Sequence, residues 1–261
     1  MPARRHSPGS LWSALPGALA LWLCACPAPG DAELEQGNRA ARAGRLADAE
    51  TAFTAATKLR PTDERAWRLL GEAALAQGHL DVALDAFTRA AAQSKTPTEA
   101  RIGLARAQLE SGDAGAAEAE VNALLAVAAQ RAEVRCLQAR LLLARGDADA
   151  ALEALEPALK AQAPSAELLY LKGLALLAAR RYADAQSAFD ATGRAAPASA
   201  YAAWGNARLA AAQGRKADVL LYLREARTKA GPGFVPADVK SDPAFSTLLA
   251  DGELQRLLEV P

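Results

Sequence analysis

The chain has 261 residues, 51% apolar but only 5% aromatic, with Lys+Arg 30 balanced by Asp+Glu 30. That balance excludes a strong nonspecific pull toward nucleic acid or anionic lipid. Beyond the N-terminus no apolar run is long enough to span a bilayer, and alanine-rich apolar content suits helices packed at close distance.

Arg4, Arg5 and His6 give the chain a positive start, and Leu11 to Leu23 is an apolar run of secretory-signal length. The run ends in Leu23-Cys24-Ala25-Cys26. This resembles the bacterial lipobox, in which a lipidated cysteine follows Leu, a small residue and Ala or Gly. The resemblance implies that residues 1–25 are a signal peptide and that Cys26 becomes the acylated first residue of an exported cell-envelope lipoprotein. Pro27, standing where aspartate would retain such a protein, points to the outer membrane, facing the periplasm. An ordinary cleaved signal or an uncleaved anchor is the other reading. On the lipoprotein reading Cys24 leaves with the signal, Cys26 is blocked and Cys136 stays alone, so no disulfide can form. Residues 26–29 make a tether of at most about 14 Å, stiffened by Pro27 and Pro29. The fold that follows is expected to sit close against the membrane.

From Gly30 onward the chain repeats. Gly44, Gly78, Gly112, Gly146 and Gly214 fall in steps of 34, 34, 34 and twice 34, and Arg180 fills the vacant slot. Ala49, Ala83, Ala117, Ala151, Ala185 and Val219 keep the same step, as do Phe53, Phe87, Val121, Leu155, Phe189 and Leu223. Fixed self-similarity is the signature of a solenoid. The six units run 30–63, 64–97, 98–131, 132–165, 166–199 and 200–233, each with two apolar faces at helical spacing around a Gly turn. Pro61, Pro97, Pro164, Pro197 and Pro232 fall at or near unit ends, where proline stops a helix.

The second unit carries Trp67, Leu70-Gly71, Gly78, Ala83, Phe87, Ala90 and Pro97. That order resembles the tetratricopeptide repeat, a helix-turn-helix of about 34 residues. The resemblance implies an all-α, right-handed superhelical solenoid of six such repeats. The third and fourth units depart from the pattern, with Ala105 and Ala139 for glycine and Val121 and Leu155 for phenylalanine, and read as divergent repeats.

Past Gly233 the pattern changes. Ser241-Asp242-Pro243 is a helix-start signal. Phe245, Leu248 and Leu249 form one apolar stripe, and Leu254, Leu257 and Leu258 another. Residues 234–261 are expected to be helices that cap the last repeat; a partner-binding helix is the alternative.

No constellation for catalysis is present. His6 lies in the signal, and His79 follows a turn glycine with no second histidine or cysteine nearby, so neither a metal site nor another cofactor is expected. Cys136 lacks a histidine base, and no phosphate loop or nucleophile elbow appears.

What the family resemblance singles out is a concave groove lined by the first helix of each unit. At the ninth position it reads Asn38, Glu72, Arg106, Arg140, Leu174 and Arg208. The fifth position reads Leu34, Arg68, Ile102, Cys136, Tyr170 and Trp204, and Tyr201 holds the second position of the last unit. The expected groove is arginine-bearing in its middle and aromatic toward its C-terminal end, with residue types enriched at binding hot spots. Arg68, Glu72, Arg106, Arg140 and Arg208 would supply polar contacts, and Tyr170, Tyr201 and Trp204 apolar anchors. The other reading is that the arginines form a solvated face while Tyr170 and Trp204 pack internally. A chaperone-tail clamp is excluded: Asn38 matches one slot, but Leu34, Leu69, Glu99 and Gly103 occupy the rest.

The expectation is therefore a non-enzymatic, lipid-anchored scaffold that binds an envelope protein segment, with no nucleic-acid or small-molecule partner. A lipobox followed directly by six repeats also resembles the pilot lipoproteins that assist assembly of type IV pilus secretins. An adaptor for a cell-wall enzyme is a further alternative.

Overall fold

The computed structural model describes residues 28–160, 164–230 and 236–259, with no side-chain description for 236–238. The signal-peptide reading and residues 26–27 of the tether, Cys26 among them, lie outside the described residues. Twelve helices pair in sequence: α1 Asp31–Arg42 with α2 Leu46–Leu59, α3 Glu64–Leu75 with α4 Leu80–Gln93, and α5 Thr98–Ser111 with α6 Ala114–Ala128. The series continues with α7 Ala132–Ala144 and α8 Ala148–Leu159, α9 Ala166–Ala178 and α10 Tyr182–Ala195, and α11 Tyr201–Ala212 and α12 Lys216–Ala230. Three short elements follow: α13 Pro236–Ser241, a 3-10 turn Pro243–Leu248, and α14 Gly252–Glu259. The protein is an all-α helical solenoid. Each first helix also packs on the first helix of the next unit from α3 to α11, which builds one continuous inner wall.

The same backbone device closes the first helix of every unit. Gly44, Gly78, Gly112, Gly146 and Gly214 all have positive φ. In the first unit the Gly44 N–H donates to the Ala41 carbonyl at 3.0 Å and the Arg45 N–H to Ala40 at 2.9 Å. This paired pattern ends a helix with one left-handed residue. Arg180 repeats it at φ 58, with its N–H bonded to Leu177 and that of Arg181 to Leu176, and it is the one positive-φ residue other than glycine among the described residues. A side chain in that conformation is strained. Arg180→Gly is therefore expected to raise stability by about 0.5–1 kcal/mol, read as a higher urea midpoint with unchanged circular dichroism.

In five of the six units the turn into the second helix is capped in one of two ways; in the second unit His79 holds the cap position with no side-chain cap bond. Asp113 and Asp147 accept the N–H of Ala116 and Ala150 at 3.0 and 3.1 Å, as side-chain caps. Where arginine holds the cap position, an aspartate three residues later answers it: Arg45 with Asp48 at 3.2 Å, Arg181 with Asp184 at 2.8 Å, and Arg215 with Asp218 at 2.7 Å. Those aspartates also complement the helix N-terminus.

Packing inside each unit follows from the two periodic columns. The alanine column is fully buried, and the ring column is at most 2% exposed in every unit. The two third-and-fourth-unit departures prove to be compensations. A Cβ on Gly37, Gly71 or Gly173 would meet the ring of Phe53, Phe87 or Phe189 at 2.4, 2.9 or 2.4 Å. Units with Ala105, Ala139 or Ala207 instead carry the smaller Val121, Leu155 or Leu223. A helix crossing has a nearly fixed volume, so a methyl gained on one helix is balanced by atoms lost on the other. Gly103 and Gly205 serve the same rings from the following unit, with built Cβ positions 2.2 and 2.3 Å from Phe87 and Phe189.

Both ends are tied down. At the start, Gly30 has φ 91, and a Cβ there would meet Arg60 at 3.1 Å. The Arg60 guanidinium donates to the Pro29 carbonyl at 2.5 Å and pairs with Asp31 at 2.6 Å and Asp63 at 3.3 Å. At the other end, Val239, Phe245, Leu254, Leu257 and Leu258 bury themselves against Ala207, Val219, Leu220 and Leu223 of the last unit. Asp242 caps the following turn by accepting the Ala244 N–H at 3.0 Å, with Pro243 at its first position. That turn is a 3-10 helix and not an α-helix, and a short α13 precedes it. The tail is a helical cap.

Candidate functional site: the inner groove

The inner wall encloses a cavity of about 390 Å³. Glu72, Leu75, Ala76, Glu99, Ile102, Gly103, Arg106, Glu110, Glu133, Arg140, Glu167 and Tyr201 line it, with Phe87 at its floor. Apart from Phe87 these residues belong to first helices or the turn just after them, and they run from the second unit to the sixth. One concavity therefore spans five repeats.

Of the residues expected in the groove, Glu72, Arg106, Arg140 and Tyr201 share this cavity. Tyr201 is 39% exposed and stacks on Tyr170, with ring centroids 5.1 Å apart. Tyr170 itself is 8% exposed and packs on Phe189, so it supports the groove from within the core and is not an exposed anchor. Trp204 is half-buried and meets Phe245 of the tail edge-on at 6.0 Å, so the cap takes up the expected aromatic end. Cys136 is buried, and burial pushes its thiol up to about 12, with the Glu167 charge adding to the shift. It is an inert core residue.

The arginines differ most from the expectation. Arg68 is ion-paired with Glu72, its neighbour one turn on. Arg140 donates to Glu167 of the next unit at 2.7 Å. Burial works against the charge of Arg140, but Glu167 outweighs it and holds the guanidinium above the usual arginine range. Arg208 is bonded to Asp242 of the tail at 2.5 Å, an aspartate only 6% exposed. Arg131, outside the cavity lining, grips Glu99 with two bonds at 2.6 and 3.2 Å and reaches Glu133 at 3.5 Å. Arg106 alone of the proposed arginines makes no hydrogen bond or ion pair among the described residues. A helical register assigns a side chain to a face, but Arg140, Arg131 and Arg208 are neutralised by residues 27, 32 and 34 positions away.

The groove is consequently more acidic than the ninth-position column suggests. Five carboxylates and two guanidiniums line it. Glu133 and Glu167 stand at the second position and Glu110 at the thirteenth, outside the fifth and ninth columns that show the arginines. Glu110 stands out electrostatically. Burial raises its carboxyl above the usual range, opposed by Arg140 and Arg106 and reinforced by Glu167. His79, by contrast, lies outside this groove, where its Nδ1 is 2.8 Å from Glu50. Among the described residues no cluster of His, Cys, Asp and Glu could hold a metal ion, and no helix is long and apolar enough to cross a membrane.

Stacked helical hairpins with a shared inner cavity define a repeat solenoid of the kind that presents an extended concave surface. Tetratricopeptide repeat models match residues 34–97, 136–185 and 170–233, and a second such model matches 74–141. The chain belongs to the tetratricopeptide repeat family. No curated protein matches it. Among solved structures it is similar to a chain of the APC/C hetero-tetramer Cut9–Hcn1, with TM-score 0.68 and 17% identity over 90% of this chain. It spans less than half of that protein, 43%. It is also similar to PilF of Pseudomonas aeruginosa, with TM-score 0.56 and 16% identity over 78% of this chain and 93% of that one. PilW, described as a widely conserved type IV pilus biogenesis factor, gives TM-score 0.60 and 16% identity over 84% and 98%. At these identities the likeness shows the fold.

Proposed function

We propose that this protein is a non-enzymatic, membrane-anchored scaffold that holds a segment of an envelope protein in its inner groove. The observation that carries this reading is the five-repeat cavity, which matches an extended or helical peptide better than a small molecule. The lipobox around Cys26 supports an anchor beside a membrane, on the periplasmic side of the outer membrane. Arg106 and Tyr201 are the two polar and aromatic groups that a bound segment would meet, with Arg140 fixing Glu167 behind them. The test is capture of the lipidated protein from native membranes, with an Arg106→Glu form alongside and bound proteins identified by mass spectrometry. A partner lost with Arg106→Glu supports the groove; a partner retained equally by both forms sinks it.

A narrower reading is favoured by the near-complete overlap with PilF and PilW: a pilot lipoprotein for a pilus or secretion secretin. Deleting the gene should then abolish secretin multimers on denaturing gels. Normal multimers beside a changed cell-wall hydrolase activity would favour the enzyme-adaptor alternative.

A further inference from the structure

One edge of the solenoid carries a surface that the groove does not use. The two helices of each unit run antiparallel around their turn, so first helices start and second helices end at the same edge. The chain enters the fold there: the Arg60 guanidinium holds the Pro29 carbonyl at 2.5 Å, and α1 begins at Asp31. Cys26 lies at most about 14 Å of extended chain from Gly30. The opposite edge, with the Gly44 turn, stands a helix length away, about 20 Å for the 14 residues of α2. A lipid on Cys26 therefore brings the first of these edges, and not the second, to a bilayer surface.

In the first three units this edge has a positive surplus. Its carboxylates are largely taken up: Asp31 and Asp63 by Arg60, Glu64 by Arg68, and Glu99 by Arg131. Lys58, Arg65 and Lys95 are exposed, and their side chains make no hydrogen bond or ion pair among the described residues. Against these three cations, Glu33 in the first turn of α1 is the one carboxylate there without a bond among the described residues. Two large apolar side chains join them: Leu59 ends α2 at 50% exposure, and Val127 lies in the last turn of α6 at 72%. Basic and apolar side chains on one surface fit the headgroup layer of an anionic membrane. The balanced charge of the whole chain gives no strong pull by itself. A lipid tether raises the effective concentration of the bilayer at this edge, so a weak attraction is enough to set the orientation.

We propose that this edge lies on the bilayer, with Leu59 and Val127 entering the headgroup layer and Lys58, Arg65 and Lys95 meeting the phosphates of anionic phospholipid. The proposal rests on the anchored reading above and adds the surface that faces the membrane. First helices then stand on the membrane, and the groove that crosses them runs along its surface.

The test uses the protein purified from native membranes, with acylation of Cys26 read by mass spectrometry. It is reconstituted with vesicles of phosphatidylcholine, or of an equimolar mixture with phosphatidylglycerol, that carry a nitroxide quencher on the headgroup. One form bears a fluorophore at Gln130→Cys, at this edge beside Val127, and another at Asp81→Cys, at the opposite edge; Cys136 is buried and leaves the label to the new thiol. With phosphatidylglycerol present, the label at 130 is expected to be quenched and the label at 81 spared. Each lysine or arginine near an anionic surface favours contact about fivefold. Lys58→Glu with Lys95→Glu is therefore expected to lower the membrane-lying population by about tenfold or more, as is 0.5 M salt by screening. Arg42→Glu, at the opposite edge, should leave quenching unchanged. All of these side chains are exposed, and circular dichroism checks that the variants fold as the parent does. Equal quenching of the two labels overturns the proposal. So does quenching at 130 that ignores both phosphatidylglycerol and the charge reversals. If the protein is acylated and vesicle-bound but its labels behave alike, the anchored reading survives alone. If it is not acylated and stays in solution, both fall.

Discussion

Phe87→Ala is expected to destabilise the solenoid by about 3–5 kcal/mol. Phe87 is 1% exposed and lies between Gly71 of its own unit and Gly103 of the next. Neither glycine has a side chain that could relax into the space left behind, so most of the cavity would remain open. Stability in a repeat array is a sum of unit and neighbour-interface contributions, and this ring belongs to both. The loss should therefore be local: hydrogen exchange should accelerate in α3, α4 and α5 and change little in α10 to α12. Uniform acceleration along the chain would show that the array unfolds as one unit and would contradict the local account. A companion experiment tests compensation directly. Gly37→Ala alone should cost about 1–3 kcal/mol by crowding Phe53. Gly37→Ala with Phe53→Leu gives the first unit the fourth unit's pair, Ala139 and Leu155, and both units are followed by a leucine at the sixth position of the next one, Leu69 and Leu171. The double variant should be more stable than the sum of its single changes predicts, a coupling of about 0.5–3 kcal/mol.

These examples mark what was legible in the chain and what was not. Turn glycines, crossing alanines and ring positions are set by sterics within one unit, so they recur at a fixed step and can be read without coordinates. Arg180 belongs with them, since its slot named its conformation even with the wrong residue in place. The sixth-position glycines Gly103 and Gly205 carried a signal as well, being helix-interior glycines without a turn, but their cause lies in a ring one unit back. Charge pairing was harder. Arg140 with Glu167, Arg131 with Glu99 and Arg208 with Asp242 join residues 27, 32 and 34 positions apart. A column read down one position shows arginines, while the partner sits in another column or in the tail. The groove face was legible from the repeat register; which of its charges remain available depended on where neighbouring units place their acids.

Asp242→Ala is expected to release the tail and make the solenoid self-associate more strongly than the parent. Asp242 is 6% exposed and serves two partners, accepting from Arg208 at 2.5 Å and from the Ala244 N–H at 3.0 Å. Its removal leaves the half-buried Arg208 uncompensated and uncaps the turn that carries Phe245. Because Arg208 keeps some solvent, the cost should fall near or below the lower end of the range for buried pairs, roughly 2–3 kcal/mol. The spacing between Arg208 and Asp242 is one repeat, so the tail stands where a seventh unit would begin its first helix. What it covers is the apolar end of the array: Val219, Leu220 and Leu223, together with Trp204. An uncovered terminal repeat presents a face made to receive another repeat, and capping is what keeps such arrays soluble. Asp242→Ala should therefore show a concentration-dependent rise in mass by analytical ultracentrifugation and faster exchange confined to residues 236–259 and α11. Asp242→Asn, which keeps the shape and part of the capping, should lie between the two. If Asp242→Ala associates no more than the parent, with α11 still protected, the apolar contacts of Phe245, Leu254 and Leu258 hold the cap by themselves and the ion pair only orients it.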